Sequence, residues 1–410
     1  MSILPWINDR ASAHPSFVIQ SLIMRPLKYS FESKTGTRLW LGGIAVLLLV
    51  GSVRAEQAVI WIGTTTPREG DSKGIYRATM DLQTGDVSRP VLAAEIGSPG
   101  FVTLHPGGRQ LYSVCQLPDG GGGVAAFEIS AGLESLELLN TQPTRDGGAT
   151  HLAVDRTGRC LYTAQYGGGS VAVFPLAPNG SILPRSDLQK HEGSGPNAER
   201  QDGPHPHWVG VGPTNRFLFV PDLGIDQVVI YRMDLAAARI RLHGRGHCPA
   251  GGGPRHMKFH PSGKFAYVLN ELELSVTAFA YDPEAGTMQP IHTISTLPAE
   301  SREVPNKASE IRIHPSGRFL YAANRGHDSI AAFQIGPTSG RLTFIEREAI
   351  RGSWPRNFNL DPSGTWLLAA GRDSHTITVF RINEQSGGLI YTGKTVNCPT
   401  PICVEVQLLP

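Results

Sequence analysis

Residues 252–282 read Gly-Gly-Pro-Arg-His-Met-Lys-Phe-His-Pro-Ser-Gly-Lys-Phe-Ala-Tyr-Val-Leu-Asn-Glu-Leu-Glu-Leu-Ser-Val-Thr-Ala-Phe-Ala-Tyr-Asp, and this stretch contains the unit that decides the fold. Its β-branched and aromatic residues predict strands over residues 255–259, 265–269 and 275–281. Residues 260–263 read His-Pro-Ser-Gly, where Pro presets φ and Gly adopts a conformation that other residues resist. The stretch therefore predicts antiparallel strands, the first two joined by a tight turn.

The tight turn also brings polar side chains together at the open end of this hairpin. The start of the first predicted strand lies beside the end of the second, so Arg255 and His256 face Asn270 and Glu271. Directly opposed Cβ atoms in such a pair are about 5 Å apart. A guanidinium, an imidazole and a carboxylate meet there, and we predict that this end holds the active site.

The same turn occurs six times along the chain. Each copy is followed by an apolar strand, and the first positions of successive turns lie 47 to 57 residues apart. The turns begin at His105, Asp155, Gly212, His260, His314 and Asp361. Four antiparallel strands in a repeat of about 50 residues are typical of a β-propeller blade. Because one such sheet cannot bury both of its faces, the blades must stack around an axis.

The two ends of the repeat region predict how the ring closes. Residues 59–63, 74–80 and 87–93 supply three strands of a blade without its innermost strand, and residues 403–408 are apolar and β-prone. A blade with N- and C-terminal strands leaves no unpaired edge at the closure. We therefore predict an all-β, seven-bladed propeller domain over residues 56–410, with six or eight blades as the structural alternative.

The first 55 residues differ in composition from the repeats. Four basic residues between positions 25 and 38 precede an apolar run at 39–50, which is followed by Ser52-Val53-Arg54-Ala55. This order predicts a signal peptide cleaved after Ala55, because a transmembrane helix needs about 20 apolar residues. Cleavage would give an exported protein, periplasmic or extracellular, without a stable membrane span. The alternatives are an uncleaved anchor, a start at Met24, and the cytoplasm.

The charge balance of the rest of the chain is close to neutral. The chain has 37 Lys and Arg against 35 Asp and Glu, and residues 1–55 contain six of the basic and two of the acidic residues. The remainder thus has 31 basic and 33 acidic residues. This balance gives no reason to expect nucleic acid or an anionic membrane as a partner. We expect a small-molecule partner, and the oligomeric state stays open.

The cysteines suggest no metal site and no redox motif. Their spacing matches neither a zinc site nor a Cys-x-x-Cys pair, and they lie at positions 115, 160, 248, 398 and 403. We expect no cofactor and no metal, although a propeller mouth can bind Ca²⁺ through carboxylates and carbonyls without a sequence motif. A disulfide between Cys398 and Cys403 stays open, because spacing alone does not fix disulfide geometry.

Alignment on the turns places further polar residues at the rim that holds Arg255. His207 precedes its own turn much as Arg255 does, and the irregular segment 191–206 enters the same rim. Segments of this length without regular structure are often functional or disordered. The corresponding places in the next two blades hold Glu310, Asn324, Arg325 and Arg356. The rim of the propeller therefore gathers His, Arg and Glu side chains.

Each of these residues also has a structural interpretation. Arg255 and Arg325 could bridge to carboxylates of neighbouring blades, and Glu271 could serve only as the partner of Arg255. Asp222 and Asp226 are typical of residues that stabilise turns through backbone hydrogen bonds. The joint occurrence of the residues supports a functional site more strongly than any one of them.

The same residues carry a resemblance to the seven-bladed β-propeller lactonase family, which includes a bacterial 6-phosphogluconolactonase and the fungal carboxymuconate lactonising enzymes. It covers roughly residues 58–410. The matching segments include His205-Pro206-His207, Asp222-Leu223-Gly224-Ile225-Asp226, Gly253-Pro254-Arg255-His256, Asn270-Glu271, Glu310-Ile311, Asn324-Arg325-Gly326 and Pro355-Arg356-Asn357-Phe358. By resemblance, the functional His, Arg, Glu and Arg of the family fall on His207, Arg255, Glu271 and Arg325. The predicted export signal departs from the usual cytosolic role in the pentose phosphate pathway.

The resemblance implies a metal-independent lactonase for a sugar-acid lactone, with 6-phosphogluconolactone as the implied substrate. Glu271 or His207 would take the proton of the attacking water, and Arg255 and Arg325 would hold the oxyanion or an anionic group of the substrate. The expected substrate contacts are His205, His256, Asn270, Glu310, Asn324 and Arg356. No serine has a Gly-x-Ser-x-Gly context, so an acyl-enzyme is not expected. The alternatives are a lactone-forming cycloisomerase and a non-catalytic exported propeller that binds a ligand or a protein.

Overall fold

The computed structural model describes residues 57–66, 72–298, 300–301 and 305–409. These residues form seven four-stranded antiparallel sheets, which confirms the predicted seven-bladed β-propeller. In the part of the chain so described, no helix has the length and hydropathy to cross a bilayer. The predicted leader, residues 1–55, and its cleavage point lie outside the described residues.

The strands follow the blades in chain order. The first blade contains β1 (Gln57–Thr64), β2 (Gly74–Asp81) and β3 (Val91–Glu95), completed by the C-terminal strand. The second and third contain β4 (Val102–Leu104), β5 (Gln110–Gln116), β6 (Gly122–Ile129), β7 (Leu136–Pro143), β8 (Ala149–Val154), β9 (Cys160–Gln165), β10 (Ser170–Pro175) and β11 (Asp187–Lys190). The fourth and fifth contain β12 (Gly210–Val211), β13 (Phe217–Asp222), β14 (Gln227–Asp234), β15 (Arg239–His247), β16 (Pro254–Phe259), β17 (Phe265–Asn270), β18 (Ser275–Asp282) and β19 (Thr287–Ser295). The sixth and seventh contain β20 (Lys307–Ile313), β21 (Phe319–Arg325), β22 (Ser329–Ile335), β23 (Leu342–Ala349), β24 (Pro355–Leu360), β25 (Trp366–Gly371), β26 (Thr376–Ile382) and β27 (Leu389–Asn397).

The ring closes through β28 (Pro401–Leu408), which pairs antiparallel with β1. Ala58 lies opposite Leu408, and Gly63 lies opposite Cys403. Because β28 takes the innermost place of the first blade, the predicted closure by both chain ends is confirmed. The five cysteines of the described chain are free, so Cys403 forms no disulfide with Cys398.

The third strand of the first blade begins later than the sequence indicated. Val87 forms only an isolated bridge with Met80, and the regular strand starts at Val91. The preceding residue, Pro90, has no N–H group to donate to a ladder. The difference shortens the outer edge of this blade and leaves its inner strands unchanged.

Neighbouring blades pack through faces that are apolar on both sides. Between the fifth and sixth blades, Tyr267 and Leu269 belong to the same buried cluster as Leu320, Ala322 and Phe333. Each large apolar side chain buried in this way contributes about 1.5–3 kcal/mol to folding. Every residue of β17 and β21 is buried, and successive residues of β17 belong to different clusters, so both faces of the blade have an apolar partner.

The repeated turns add a polar contact between successive blades. The imidazole of His260 donates to the carbonyl oxygen of Gly317 in the next turn at 2.8 Å, and His314 donates to that of Gly364 at 2.9 Å. The receiving glycines have φ of 73° and 79°. A Cβ atom on Gly317 would lie 2.6 Å from the His260 ring. In these two turns the histidine and the glycine of the following blade therefore fit each other closely.

Bulges in three of the innermost strands determine which residues reach the channel. The pairing of β16 with β17 shifts between Pro254 and His256, which leaves Arg255 as the extra residue. The same shift in β8 and β24 makes Thr150 and Arg356 the extra residues of their strands. A bulge re-aims the side chain of its extra residue. Two arginines are therefore placed at the same end of the channel by the same local device.

Candidate active site

One carboxylate binds three guanidinium groups at the end of the channel where β16 begins. Glu271 follows β17, and its Oε2 lies 2.9 Å from Arg255 Nε and 3.0 Å from Arg325 Nη2. Its Oε1 accepts a hydrogen bond from Arg200 Nη2 at 2.9 Å. The predicted meeting of Arg255 and Glu271 is confirmed, and Arg325 joins them from the neighbouring blade.

The guanidinium groups are also fixed by backbone carbonyl oxygens. Arg255 donates through Nη1 to the carbonyl oxygen of Ser309, and Arg325 donates through Nη2 to that of Ala308 at 2.8 Å. Burial alone would raise the pKa of Glu271, but Arg325 and Arg255 hold it well below its usual range. Glu271 is therefore ionised and orients the arginines. Because both of its oxygens are occupied by guanidinium groups, it is a poor base for a water molecule.

The cluster contains more cationic side chains than the single carboxylate of Glu271 can neutralise. Arg356 and Lys307 also act on this cluster. Burial, followed by repulsion from Arg325, lowers the pKa of Arg356 to about 10. Within the described chain, the Arg356 side chain forms no hydrogen bond and no ion pair. A cluster of this kind is suited to an anion that would pair with the free guanidinium.

His207 contributes a neutral imidazole beside these cations. Its ring contacts Tyr166 and His256 edge to face, with ring centroids 5.5 and 5.3 Å apart. Its Nδ1 is buried and has no hydrogen-bond partner among the described residues. Burial, and then the charge of Arg255, lower the pKa of His207 well below its usual value. The imidazole is therefore neutral at neutral pH, and its Nδ1, which has no partner among the described residues, can exchange a proton with a bound molecule.

A cavity of about 170 Å³ is lined by both the imidazole of His207 and the unpaired guanidinium group of Arg356. Among its lining residues are four of the predicted site residues: His207, Arg255, His256 and Arg356. Residues of other blades complete the wall: Ser98, Gly100, Phe101, Val114, Ala149, Thr150 and Ile402. The cavity thus places two guanidinium groups and a neutral imidazole around one small volume.

Sequence reasoning missed Arg200, which reaches the cluster from the irregular segment between β11 and β12. Its Nη2 donates hydrogen bonds both to the hydroxyl oxygen of Tyr166, at 3.3 Å, and to Glu271. Next to it, Gln201 donates through Nε2 to Asp226 Oδ1 at 2.7 Å and anchors the segment. The length of the segment was the only signal, and it did not identify which residue reaches the site.

The same segment positions His205 at the rim. His205 stacks on the ring of Tyr166 with centroids 4.3 Å apart and donates through Nδ1 to the Tyr166 carbonyl oxygen at 2.9 Å. Asp222 accepts hydrogen bonds from the backbone N–H of His205 and from His191 Nδ1, each at 2.6 Å. Asp222 and Asp226 therefore have the structural role that the turn chemistry predicted.

Four predicted substrate contacts lie outside the wall of the 170 Å³ cavity: His205, described above, and Asn270, Asn324 and Glu310. Asn270 donates to the hydroxyl groups of Ser275 and Thr277 inside its blade, and Asn324 accepts from Thr296 Oγ1 at 2.6 Å. These amides face the interior of the sheet because the bulged inner strand, and not the second strand, supplies the channel wall. Their geometry assigns them to bracing the blade.

Glu310 likewise lies behind the cavity wall. It is fully buried, and its Oε1 accepts hydrogen bonds from the Ile311 N–H at 2.9 Å and from Arg312 Nη1 at 2.5 Å. The same oxygen is 3.2 Å from His256 Nδ1, and Oε2 accepts from Asn357. Glu310 therefore contacts the cavity only through His256, whose ring it orients.

Comparison with known proteins gives the same fold and a consistent set of relatives. A family model for seven-bladed β-propeller lactonases matches residues 59–406. A 6-phosphogluconolactonase of Bacillus subtilis is 37% identical over 345 residues, which cover 84% of this chain and 97% of the relative. A second relative, a 6-phosphogluconolactonase of Formosa agariphila, is 31% identical over 74% of this chain and 86% of its own length.

Solved structures agree with these relatives. A periplasmic gluconolactonase of Pseudomonas aeruginosa superposes with a TM-score of 0.81 at 30% identity, covering 86% of this chain and 100% of that one. A protein of Bacteroides fragilis assigned as a 6-phosphogluconolactonase gives 0.79 at 33% identity, with 87% and 99% covered. At these identities and coverages the similarity extends over the whole propeller.

Proposed function

The chain belongs to the seven-bladed β-propeller lactonase family, and from this premise we propose that it hydrolyses 6-phosphogluconolactone to 6-phosphogluconate. The observation that carries the proposal is the cationic cluster around Glu271, with the unpaired guanidinium of Arg356 in the cavity wall. A phosphorylated sugar lactone brings both a carbonyl group to be attacked and an anion to be paired. The names of the relatives support this substrate class.

In the proposed reaction His207 is the base. The imidazole takes a proton from water as the water oxygen attacks the lactone carbonyl carbon, and the C–O bond of the ring then breaks. The imidazolium returns its proton to the departing ring oxygen, which becomes a hydroxyl group, and the carbonyl carbon becomes a carboxylic acid. Because the pKa of His207 is held low, the returned proton leaves the ring readily.

Two arginines, Arg255 and Arg356, bind different parts of the substrate in this scheme. Arg255 lies at the cavity beside His207 and stabilises the negative charge that develops on the carbonyl oxygen. Arg356 pairs with the phosphate, since its guanidinium can form two parallel hydrogen bonds to such an anion. Glu271 holds Arg255, Arg325 and Arg200 in register and takes no proton in this scheme.

An assay of the purified protein with 6-phosphogluconolactone, glucono-δ-lactone and a carboxymuconate tests the proposal. We expect hydrolysis of the phosphorylated lactone well above the spontaneous rate, with a lower kcat/KM for the unphosphorylated lactone. The matched variant Arg356→Met should remove the preference for the phosphorylated substrate. Hydrolysis at the spontaneous rate with both lactones would contradict the proposal, and turnover of the muconate alone would identify a cycloisomerase.

We further propose that the protein is exported, with residues 1–55 as a cleaved leader and residues 56–410 as the mature propeller. The basic segment and the apolar run support this, and the similarity to a periplasmic gluconolactonase is consistent with it. N-terminal sequencing of protein recovered outside the cytoplasm should begin at Glu56. Cytoplasmic protein that retains the leader would favour a role in intracellular glucose metabolism through the pentose phosphate pathway.

A further inference from the structure

The channel contains a second cavity on the other side of a layer of rings. Its volume is about 380 Å³. Phe101 lines both cavities, His256 lines only the one described above and His151 lines only this one. The centroid of the His151 ring lies 4.1 Å from that of Phe101 and 5.4 Å from that of His256. The three rings therefore form the partition between two chambers.

Lys258 places an ammonium group in the wall of the second cavity. It lies on β16, three residues after Arg255 and hence about 10 Å further along the strand. Its Nζ is 5.1 Å from the centroid of the Trp208 ring. Over the residues that the structure describes, this ammonium group forms no hydrogen bond and no ion pair. A cation in a cavity without an anionic partner is a group that a ligand can satisfy.

Two of the other charged groups of this cavity, Arg312 and Glu405, are already engaged. Arg312 donates through Nε to Asn359 Oδ1 at 2.9 Å and through Nη1 to Glu310 Oε1 at 2.5 Å. Glu405 lies 3.4 Å from Asn359 Nδ2, and burial raises its pKa. Arg156 also lines the cavity without a side-chain partner among the described residues, but it is exposed to solvent. Lys258 is therefore the partly buried cation of the wall that remains to be paired, and Glu405 disfavours a ligand with two negative charges.

The rest of the wall is apolar on the side of Trp208. Phe259, Val211, Val209 and Met257 belong to it together with the indole ring. An aromatic or aliphatic body packs against such a surface and releases water from it. The cavity thus combines one partly buried, unpaired positive charge with a surface that prefers hydrocarbon.

We propose that this second cavity binds a small organic acid, with its single carboxylate on Lys258 and its apolar body against Trp208. The site is distinct from the lactone cavity, from which the ring layer separates it, and it goes beyond the proposed function. A phosphate ester or a dicarboxylate fits less well, because Glu405 repels a second negative charge. The neutral analogue of the acid lacks the partner that the ammonium group requires.

Calorimetric titration of the full-length protein at pH 7 tests the proposal with benzoate and cyclohexanecarboxylate as probes. Benzyl alcohol serves as the neutral control and inorganic phosphate as the control without an apolar body. We expect saturable binding of both carboxylates and much weaker binding of both controls. Lys258→Met keeps the apolar stem of the side chain and should weaken benzoate binding about 10- to 100-fold, the range for a hydrogen bond to a charged group.

Two further variants decide between this cavity and the lactone cavity. Glu405→Gln removes the repelling charge and should strengthen benzoate binding, which tests the site even where Lys258→Met lowers the yield of folded protein. Arg356→Met alters only the lactone cavity and should leave benzoate binding unchanged. The proposal is overturned if benzoate does not bind, if Lys258→Met binds it as tightly as the parent, or if only Arg356→Met loses it.

Discussion

The two ends of β16 hold positive charge in opposite ways. At its start, Arg255 is bound to Glu271 and to a backbone carbonyl oxygen, so its guanidinium group is held in one orientation. Near its end, Lys258 is held only by its stem and the face of Trp208. Paired charges give fixed geometry, which a reaction requires, whereas an unpaired charge stays available to a ligand. One inner strand can therefore serve two sites with different requirements.

The largest expected effect distinguishes two histidines on either side of the ring layer. His207→Asn should lower kcat for 6-phosphogluconolactone by about 10²–10⁴-fold, the usual contribution of a general base. The matched control is His151→Asn, because His151 lines only the second cavity. Steady-state kinetics per folded molecule should show a near-normal kcat for the control. Equal losses in both variants would mean that the rings act only through packing.

The next effect compares the carboxylates of the two ends. Glu271→Gln leaves the buried Arg255 and Arg325 and the partly exposed Arg200 without their partner, and it should lower the free energy of unfolding by about 3–5 kcal/mol. Glu405→Gln should be neutral or stabilising at pH 7, because burial raises the pKa of Glu405 and its ionised form is the less favoured one. Urea unfolding of both variants measures the difference. A destabilised Glu405→Gln beside an unaffected Glu271→Gln would reverse the comparison.

The acid dependence of stability sharpens the same contrast. The pKa of Glu271 is depressed in the folded protein. Its stabilising contribution is therefore complete above the unfolded-state pKa and is lost as the pH falls through the lower folded-state value. The unfolding free energy of Glu271→Gln should lack this part of the acid-induced decline. An identical decline in the parent and the variant would exclude Glu271 as its source.

A smaller effect is expected for the guanidinium that the loop contributes. Arg200→Met removes one of the three donors to Glu271, and we expect KM to rise about tenfold, the equivalent of one charge-assisted hydrogen bond. The value of kcat should change little, since Arg200 does not line the cavity. Arg156→Met is the control, because the exposed Arg156 lies at the second cavity. A large fall in kcat for Arg200→Met would place it closer to the reacting atoms.

The smallest effects concern the second cavity and its pH dependence. Burial lowers the pKa of Lys258 to about 8, so benzoate binding should weaken as the pH rises through this value, by about tenfold per unit above it. The charged and titratable groups that act on Lys258 from neighbouring strands are Arg312, Glu310, Glu405, Cys403 and His151. Calorimetry between pH 6.5 and 10 measures the dependence, while Lys258→Met should keep kcat/KM for the lactone within about twofold. Binding that does not vary with pH would indicate a different cation.

The fold was predictable because the turn motif repeats and each copy carries its own structural reason. His260, Pro261 and Gly263 set one turn, and the same histidine reaches the glycine of the next blade. The closing strand followed from an incomplete first blade. The start of β3 was not predicted correctly. Pro90 interrupts the ladder at one position, and a single proline changes the composition of the segment very little.

The site was predictable only where the hairpin geometry determines it. Arg255 and Glu271 face each other because one tight turn fixes their register. Arg200 was missed because its segment lies outside the repeat and takes its course from hydrogen bonds to distant aspartates. Asn270 and Asn324 were assigned to the cavity because bulges in the inner strands, which shift the faces of a strand, are not visible in the sequence.

The closing strand also determines what lies at the two mouths of the channel. Leu409 N–H donates to the carbonyl oxygen of Gln57 at 3.0 Å, so the two ends of the propeller emerge side by side. Along β28, Ile402 lines the lactone cavity and Glu405 lines the second one, which puts Gln57 and Leu409 on the remote face. A tag, a surface or a fused domain attached at either end would leave the arginine-lined mouth open. A linker of a few residues would also join the two ends. New chain ends could then be placed in another blade, as in a circular permutation, without moving the site.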